Sequence, residues 1–150
     1  MDMPGKILLI GGIGSGKTSL KQYLCRQTLA YRKTQVLEYS NFFIDCPGEY
    51  LEIPRYYHVL INTSLGVAAI WALQDATKTR SFYPPNFLKV FSKPIIGVIT
   101  KTDMPEADVE RARSFLCYAG VSAPVYPVSV LSGAGMSTLR KYLDNIAATL

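Results

Sequence analysis

Short apolar runs recur along the chain, and each ends at glycine, proline or polar residues. Their length and continuity predict strands that are buried on both faces of a sheet. The stretches between them are long enough for helical crossovers, and this alternation predicts an α/β fold with helices on both faces of a mostly parallel sheet. The predicted strands span residues 6–11, 66–73, 94–100 and 124–129.

Apolar residues at spacings near i, i+3 and i+4 predict five helices. Asp103 and Pro105 are expected to begin the fourth of these, and Gly120 to end it. Segments 35–39 and 42–45 are expected to pair as a small hairpin, which brings the sheet to six strands. The predicted helices span residues 17–27, 54–65, 85–91, 106–118 and 136–150.

The composition is 49% hydrophobic and 18% charged, which is typical of a globular protein and excludes a disordered chain. We see no linker or internal repeat, so we expect residues 1–150 to form a single domain. The longest apolar runs are far shorter than the roughly 18 residues that a membrane span needs, and the first residues lack the layout of a signal peptide. We therefore expect a cytoplasmic protein without membrane insertion.

The charged residues indicate the kind of partner, and the cysteines indicate the state of the thiols. A net charge of +5 suits a ligand or partner rich in phosphate. The basic residues near the first helix have no aromatic interleaving, which favours a solvated helix face over a nucleic-acid site. Three cysteines without a CxxC pair indicate reduced thiols that are buried or nearly so, rather than a disulfide or zinc site.

The clearest chemical signal is segment 11–18, GGIGSGKT, which fits the pattern GxxxxGK[ST] between a predicted strand and a predicted helix. It predicts a phosphate-binding P-loop, whose backbone N–H groups point at anionic oxygens. We expect Lys17 to reach the β- and γ-phosphates and the Thr18 hydroxyl to bind Mg²⁺. The predicted nucleotide-binding residues here are Gly11, Ile13, Gly14, Ser15, Gly16, Lys17, Thr18 and Ser19.

A second signal, DCPG at 45–48, follows an apolar segment. We expect Asp45 to hold Mg²⁺ through water and Gly48 to offer its N–H to a γ-phosphate. Alone, DxxG is a common turn, but its position after a P-loop favours the metal role. Thr34, with Thr28 as the alternative, is expected to complete the Mg²⁺ shell when a γ-phosphate is present. Only ten residues separate Thr34 from Asp45, so this switch segment is expected to be short.

A third signal, TKTD at 100–103, fits the form [NT]KxD. The Asp103 carboxylate can accept hydrogen bonds from both the ring N–H and the exocyclic amine of guanine, whereas adenine presents a different pattern. The Lys101 stem can cover one face of the base, and Thr100 belongs to the same loop. A cap for the next helix is the alternative.

A fourth loop follows the last predicted strand and has the sequence VSVLSGAG at 128–135. It resembles the base-supporting loop of small GTPases, although Val130 stands where alanine is usual. An ordinary Ser/Gly turn is the alternative. The residues assigned to the base site are Ser129, Val130 and Leu131.

Taken in order, the four loops resemble those of the Ras-like P-loop GTPases over essentially the whole chain. Segments 30–35, 44–50, 54–58 and 100–105 are similar to the EutP/PduV family, P-loop proteins encoded with bacterial microcompartments for ethanolamine or propanediol breakdown. The resemblance implies a small GTPase-like protein that binds Mg²⁺ and GTP or GDP. It also implies a microcompartment location, with shell or enzyme proteins, or a second copy of the chain, as candidate partners.

The residue after DxxG is Glu49, where many such GTPases place Gln or His to orient the attacking water. Because a carboxylate repels a γ-phosphate, we expect hydrolysis slower than about one turnover per second. Arg55 and His58 are considered for catalysis, but surface and packing roles are preferred. A cluster of tyrosines is either part of the core or a partner-binding surface: Tyr50, Tyr56 and Tyr57.

The leading interpretation is a guanine-nucleotide-binding protein with catalytic residues Lys17, Thr34, Gly48 and Glu49. Two alternatives remain open. The first is an ATP-dependent small-molecule kinase, although the sequence shows no evident Arg-rich lid. The second is a non-catalytic nucleotide-binding scaffold or interaction module, which Glu49 and the short switch segment favour.

Overall fold

The computed structural model describes residues 6–31, 43–122 and 124–149. The five strands are β1 (Ile7–Ile10), β2 (Phe43–Asp45), β3 (Ala69–Asp75), β4 (Ile95–Thr100) and β5 (Val125–Pro127). The α-helices are α1 (Lys17–Tyr31), α2 (Glu49–Glu52), α3 (Tyr57–Ser64), α4 (Val109–Ala119) and α5 (Met136–Thr149). Two 3₁₀ turns span Pro54–Tyr56 and Phe87–Val90.

The strands form one parallel sheet in the order β2-β1-β3-β4-β5. This confirms the α/β fold with a parallel sheet. The prediction of six strands was wrong for the described residues, which contribute five. Residues 43–45 pair in parallel with β1, beginning at Ile7 and Phe43, so β2 is an edge strand of the main sheet. The other half of the predicted hairpin, 35–39, lies outside the described residues.

Alternate residues of β1 and β3 supply two separate cores, one on each face of the sheet. Leu8 and Ile70 pack with Leu60 of α3 and Leu116 of α4. On the opposite face, Ile7, Leu9 and Trp71 pack with residues of α1 and α5, namely Leu20, Leu24, Leu139 and Leu143. Side chains of a strand point alternately to its two faces, so uninterrupted apolar strands require helices on both sides.

The predicted helix boundaries need three corrections. The cap of α4 is Asp108, whose carboxylate accepts from Arg111 N–H at 3.0 Å, and not Asp103. Gly120 ends α4 in the left-handed region, at φ 113°, as predicted. Segment 54–65 is a 3₁₀ turn followed by α3, and segment 85–91 holds only a 3₁₀ turn preceded by Asn86 at φ 58°.

Within the described ranges, no helix is both long enough and apolar enough to cross a membrane. Cys46 is buried as expected, whereas Cys117 is exposed on the solvent side of α4, so the prediction that all thiols are buried was wrong for Cys117.

Candidate nucleotide site

Parallel strands end at the same edge of the sheet, and the predicted loops meet there. The P-loop follows β1, Asp45 ends β2, residues 100–103 follow β4, and Ser129 lies just beyond β5. In open α/β sheets this edge is where ligands bind. The fold therefore brings all four sequence signals to one side of the molecule.

The P-loop wraps around the amine of Lys17. Lys17 Nζ donates to the carbonyl oxygens of Gly11 at 2.9 Å and Gly12 at 3.1 Å, and its residue is 7% exposed. Burial lowers the pKa of Lys17, and nearby anionic groups, Asp45 first among them, oppose that shift. Gly14 and Gly16 have φ of 76° and 97°, values that glycine tolerates and other residues rarely adopt. The loop thus holds a buried cation that an anionic ligand would stabilise.

Two of the predicted metal ligands are in direct contact. The Thr18 hydroxyl donates to Asp45 Oδ2 at 2.7 Å, across 27 residues of sequence. A hydroxyl and a carboxylate oxygen are hard donors of the kind Mg²⁺ prefers. The residues present therefore fit Mg²⁺, with Thr18 and Asp45 as the groups that would hold it. Thr34, the predicted third ligand, lies outside the described residues.

The DxxG segment packs directly against the P-loop. A Cβ at Gly48 would lie 2.5 Å from the backbone nitrogen of Ile13, so a larger residue there would collide with the loop. The Ile13 N–H donates to Glu52 Oε2 at 3.1 Å. Glu49, the predicted neighbour of a γ-phosphate, is exposed. Glu52 was not predicted, although its spacing of four residues from Gly48 was an available signal.

Lys101 joins three parts of the site. Its amine donates to the carbonyl oxygen of Gly14 at 2.7 Å and lies 3.0 Å from Asp75 Oδ2, at the end of β3. Lys101 itself has φ 61°, in the left-handed region. The adjacent Thr100 hydroxyl donates to the carbonyl oxygen of Ser15 at 2.6 Å. Asp75 was not predicted, because it reads as the polar end of a strand.

Asp103 and Ser129, which were both predicted for the base site, are in direct contact. The Ser129 hydroxyl donates to Asp103 Oδ1 at 2.7 Å and accepts from Ser132 N–H at 3.0 Å. Ser129 is fully buried, whereas Asp103 is exposed and Leu131 is 86% exposed. The buried hydroxyl fixes one carboxylate oxygen, which leaves the other free to face a ligand.

A small cavity lies beside the P-loop, on the side of the segment that follows β3. Its walls include Gly12, Ile13, Lys78, Arg80 and Phe82. The Arg80 guanidinium stacks over the Phe82 ring, with Cζ 4.8 Å from the ring centroid. Two cationic side chains therefore border the start of the phosphate loop, a feature that the sequence analysis did not identify.

The other candidate catalytic residues have contacts elsewhere. The Arg55 guanidinium stacks on the Tyr56 ring at 5.0 Å and donates to its hydroxyl at 3.2 Å. Tyr50 packs against Tyr56, and Tyr57 packs against Phe87 of the second 3₁₀ turn. His58 is exposed on α3, so the packing role expected for it was wrong. These contacts favour the packing and surface roles over catalysis.

The chain is similar to known proteins over most of its length. The family model described as "Ethanolamine utilisation - propanediol utilisation" matches residues 4–145. The chain is 38% identical over 145 residues to a protein of Salmonella typhimurium named "Probable acetate kinase EutP", covering 95% of the chain and 89% of that protein. It is 33% identical over 140 residues to "Propanediol utilization protein PduV" of Citrobacter freundii, covering 93% of each.

Among solved structures, the apo form of translation elongation factor SelB from Methanococcus maripaludis superposes with a TM-score of 0.60 at 20% identity. The match covers 99% of this chain and 34% of SelB, so this chain corresponds to about a third of that protein. The superposition shows the shared fold.

Proposed function

The chain belongs to the PduV-EutP family, and from that premise we propose that it is a Mg²⁺-dependent guanine-nucleotide-binding protein that hydrolyses GTP slowly at a bacterial microcompartment. GTP and GDP bind at the edge of the sheet where the P-loop and residues 100–103 meet. Mg²⁺ is held by Thr18 and Asp45, with Thr34 as a third ligand, and supplies charge neutralisation to the phosphates.

The observation that carries the guanine assignment is the hydrogen bond from Ser129 to Asp103. A carboxylate held at one oxygen by a buried hydroxyl has a fixed orientation, and its second oxygen can accept from the N–H groups of guanine. Lys101 is fixed as well, between Gly14 and Asp75, so its stem can cover one face of the base. Adenine would leave the Asp103 carboxylate without matching donors.

Slow hydrolysis is supported by the side chains near the γ-phosphate position. The residue after DxxG is Glu49, which repels a γ-phosphate and does not orient water as a neutral Gln would. We expect turnover below about one per second without a partner. A metal-replete preparation that turns over at tens per second would contradict this.

The direct test is calorimetric titration of nucleotide-stripped protein with GDP, a GTP analogue and ATP in Mg²⁺. The expected result is guanine-selective binding in the wild type that is lost in Asp103→Ala. Asp108→Ala is the matched control, because it removes a nearby carboxylate that caps α4 and does not face the base site. Equal affinity for ATP and GTP in the wild type would refute the assignment.

A second candidate function is phosphoryl transfer from a nucleoside triphosphate to a small carboxylate. It is favoured by the cavity beside the P-loop, where Lys78 and Arg80 could neutralise a carboxylate close to the transferred phosphate. The Salmonella relative named "Probable acetate kinase EutP" makes acetate the substrate to test. The γ-phosphoryl group would move to a carboxylate oxygen, giving an acyl phosphate and a nucleoside diphosphate.

The kinase candidate is tested by trapping acyl phosphate with hydroxylamine after incubation with acetate, Mg²⁺ and ATP or GTP. Arg80→Ala is expected to raise the apparent KM for acetate more than that for the nucleotide. Product formation that does not depend on acetate would rule this candidate out.

The same chain could act as a non-catalytic nucleotide-binding scaffold for shell or enzyme proteins. The tyrosine cluster, which begins in α2 at Tyr50, is the proposed contact surface, and a second copy of the chain is a further candidate partner. Because Tyr50 also packs against Tyr56 and the core, loss of folding in Tyr50→Ala would show that it is a core residue. Tyr50→Ala is expected to weaken capture of purified shell proteins while leaving GDP affinity intact.

A further inference from the structure

A carboxylate of the chain itself occupies the start of the P-loop. The Ile13 N–H donates to Glu52 Oε2 at 3.1 Å, a contact between residues 39 apart in sequence. Glu52 is the last residue of α2, and its own N–H donates to the carbonyl oxygen of Gly48 at 3.3 Å. One helical turn therefore separates the DxxG glycine from the carboxylate that reaches the loop.

This part of the loop is its γ-phosphate end. The Lys17 amine, which reaches the β- and γ-phosphates in such loops, lies against the carbonyl oxygens of Gly11 and Gly12, immediately before Ile13. Gly48, whose N–H is the expected donor to a γ-phosphate, packs against the backbone of Ile13 as well. A third phosphate would bind beside these groups.

The rest of the loop is free of this carboxylate. The α- and β-phosphates are cradled by later N–H groups and by the N-terminus of α1, which begins at Lys17. A diphosphate can therefore bind with the contact between Ile13 and Glu52 in place. A triphosphate brings further negative charge next to Glu52, and like charges at close range repel each other.

We propose that Glu52 is a specificity-determining residue that makes this site favour guanosine diphosphate over guanosine triphosphate, because its carboxylate holds the place of the γ-phosphate. The inference rests on the proposed guanine-nucleotide function and adds the basis of phosphate selection. Glu52 is only partly buried, so its carboxylate can turn into solvent. Triphosphate binding is therefore weakened rather than prevented.

The experiment is calorimetric titration of nucleotide-stripped protein with GDP and with a non-hydrolysable GTP analogue, both in Mg²⁺. The variants are Glu52→Gln, which removes the charge, and Glu52→Ala, which also removes the hydrogen-bond acceptor. Glu110→Gln is the control for loss of an acidic residue, because Glu110 lies on α4 and pairs with Arg113. Glu49→Gln removes a charge from α2 without removing the loop contact. Thermal unfolding confirms that each variant is folded.

The wild type is expected to bind GDP more tightly than the analogue. Glu52→Gln and Glu52→Ala should tighten binding of the analogue roughly 5- to 30-fold, the factor that corresponds to one or two kcal/mol, and leave GDP affinity within about twofold. Glu110→Gln should change the affinity for neither GDP nor the analogue. Glu49→Gln should tighten binding of the analogue less than Glu52→Gln does.

Two outcomes overturn the inference while the proposed function stands. One is an unchanged ratio of the two affinities in both Glu52 variants. The other is an equal shift in Glu49→Gln, which would assign the effect to the charge of α2 rather than to the contact with Ile13. A wild-type protein that binds neither guanine nucleotide overturns the proposed function, and this inference with it.

Discussion

The Asp75 carboxylate and the Lys101 amine form an ion pair of 3.0 Å that joins the ends of neighbouring strands β3 and β4. Asp75 is 3% exposed, and its other oxygen accepts from the Thr77 N–H at 2.8 Å and the Thr77 hydroxyl at 2.6 Å. The carboxylate is therefore held in place before a ligand arrives. It fixes the lysine whose stem is expected to cover the base.

Replacing Asp75 with asparagine should weaken GDP binding and lower stability. The change removes the charge that orients Lys101, and we expect GDP affinity to fall roughly 3- to 10-fold with a loss of about 1–2 kcal/mol in the free energy of unfolding. Titration calorimetry and urea denaturation measure the two effects. Asp144→Asn is the matched control, because Asp144 is an exposed residue of α5 that pairs with Arg140, and it should change neither GDP affinity nor stability much. A fully retained GDP affinity in Asp75→Asn would contradict the positioning role.

Stability should fall in acid partly through Asp75. Burial works to raise the pKa of this carboxyl, but hydrogen bonds from Thr77 and the contact with Lys101 hold it below its ordinary value of 3.8. The folded form therefore binds this proton more weakly than the unfolded form. The resulting stability is present above about pH 3.8 and is lost as the pH falls through the folded-state pKa. Urea denaturation at a series of pH values should show that the free energy of unfolding falls less steeply in acid for Asp75→Asn than for the wild type. If the free energy of unfolding depended on pH in the same way in both proteins, Asp75 would not contribute to the loss of stability in acid.

Replacing Ser129 with alanine tests the base site without touching Asp103. The variant loses the 2.7 Å bond that orients the Asp103 carboxylate, so GDP affinity should fall roughly tenfold. Affinity for inorganic pyrophosphate, which occupies only the P-loop, should stay the same. Ser132→Ala is the control, since Ser132 is exposed and its hydroxyl accepts only from Ala134 N–H at 3.3 Å. Equal losses for GDP and pyrophosphate would indicate general damage rather than a base-specific role.

Replacing Gly48 with alanine should force α2 away from the P-loop. The new Cβ would lie within 3 Å of the backbone of Ile13 and Gly12, which cannot rotate away as a side chain can. We expect a loss of about 1–3 kcal/mol in the free energy of unfolding. Gly14→Ala is a useful comparison, because that position has open space but φ of 76°, so its cost reflects backbone strain alone. If Gly48→Ala were as stable as the wild type, the DxxG segment could move away from the P-loop without a loss in the free energy of unfolding.

The parts of the site that the sequence predicted are those encoded by local backbone patterns. A P-loop, a DxxG turn and a TKTD loop each need particular residues at fixed spacing, so the sequence locates them without knowledge of the fold. The parallel sheet was predictable for a similar reason, since continuous apolar strands must be covered on both faces. The parallel pairing of β2 with β1 was not predictable, because a three-residue edge strand carries little pattern.

The contacts that the sequence did not predict depend on how distant elements pack. Glu52 reaches Ile13 only because α2 lies across the P-loop, and Asp75 meets Lys101 only because β3 and β4 are neighbours in the sheet. Asp103 was predicted both to read the base and to begin a helix. The helix-start role was wrong, because Asp108 caps α4, whereas the Asp103 carboxylate is bonded to Ser129 and its reading of the base stays a prediction.

The hydrogen bond from the Thr100 hydroxyl to the carbonyl oxygen of Ser15 spans 85 residues and joins the TKTD loop at 100–103 to the P-loop. The contact between Lys101 and Gly14 makes a second tie. Two loops joined in this way are ordered together, so a ligand that orders one lowers the entropic cost of ordering the other. Guanosine and pyrophosphate, supplied as separate molecules, should therefore each bind more tightly in the presence of the other. By reciprocity, each fragment should increase the affinity of its counterpart by the same factor.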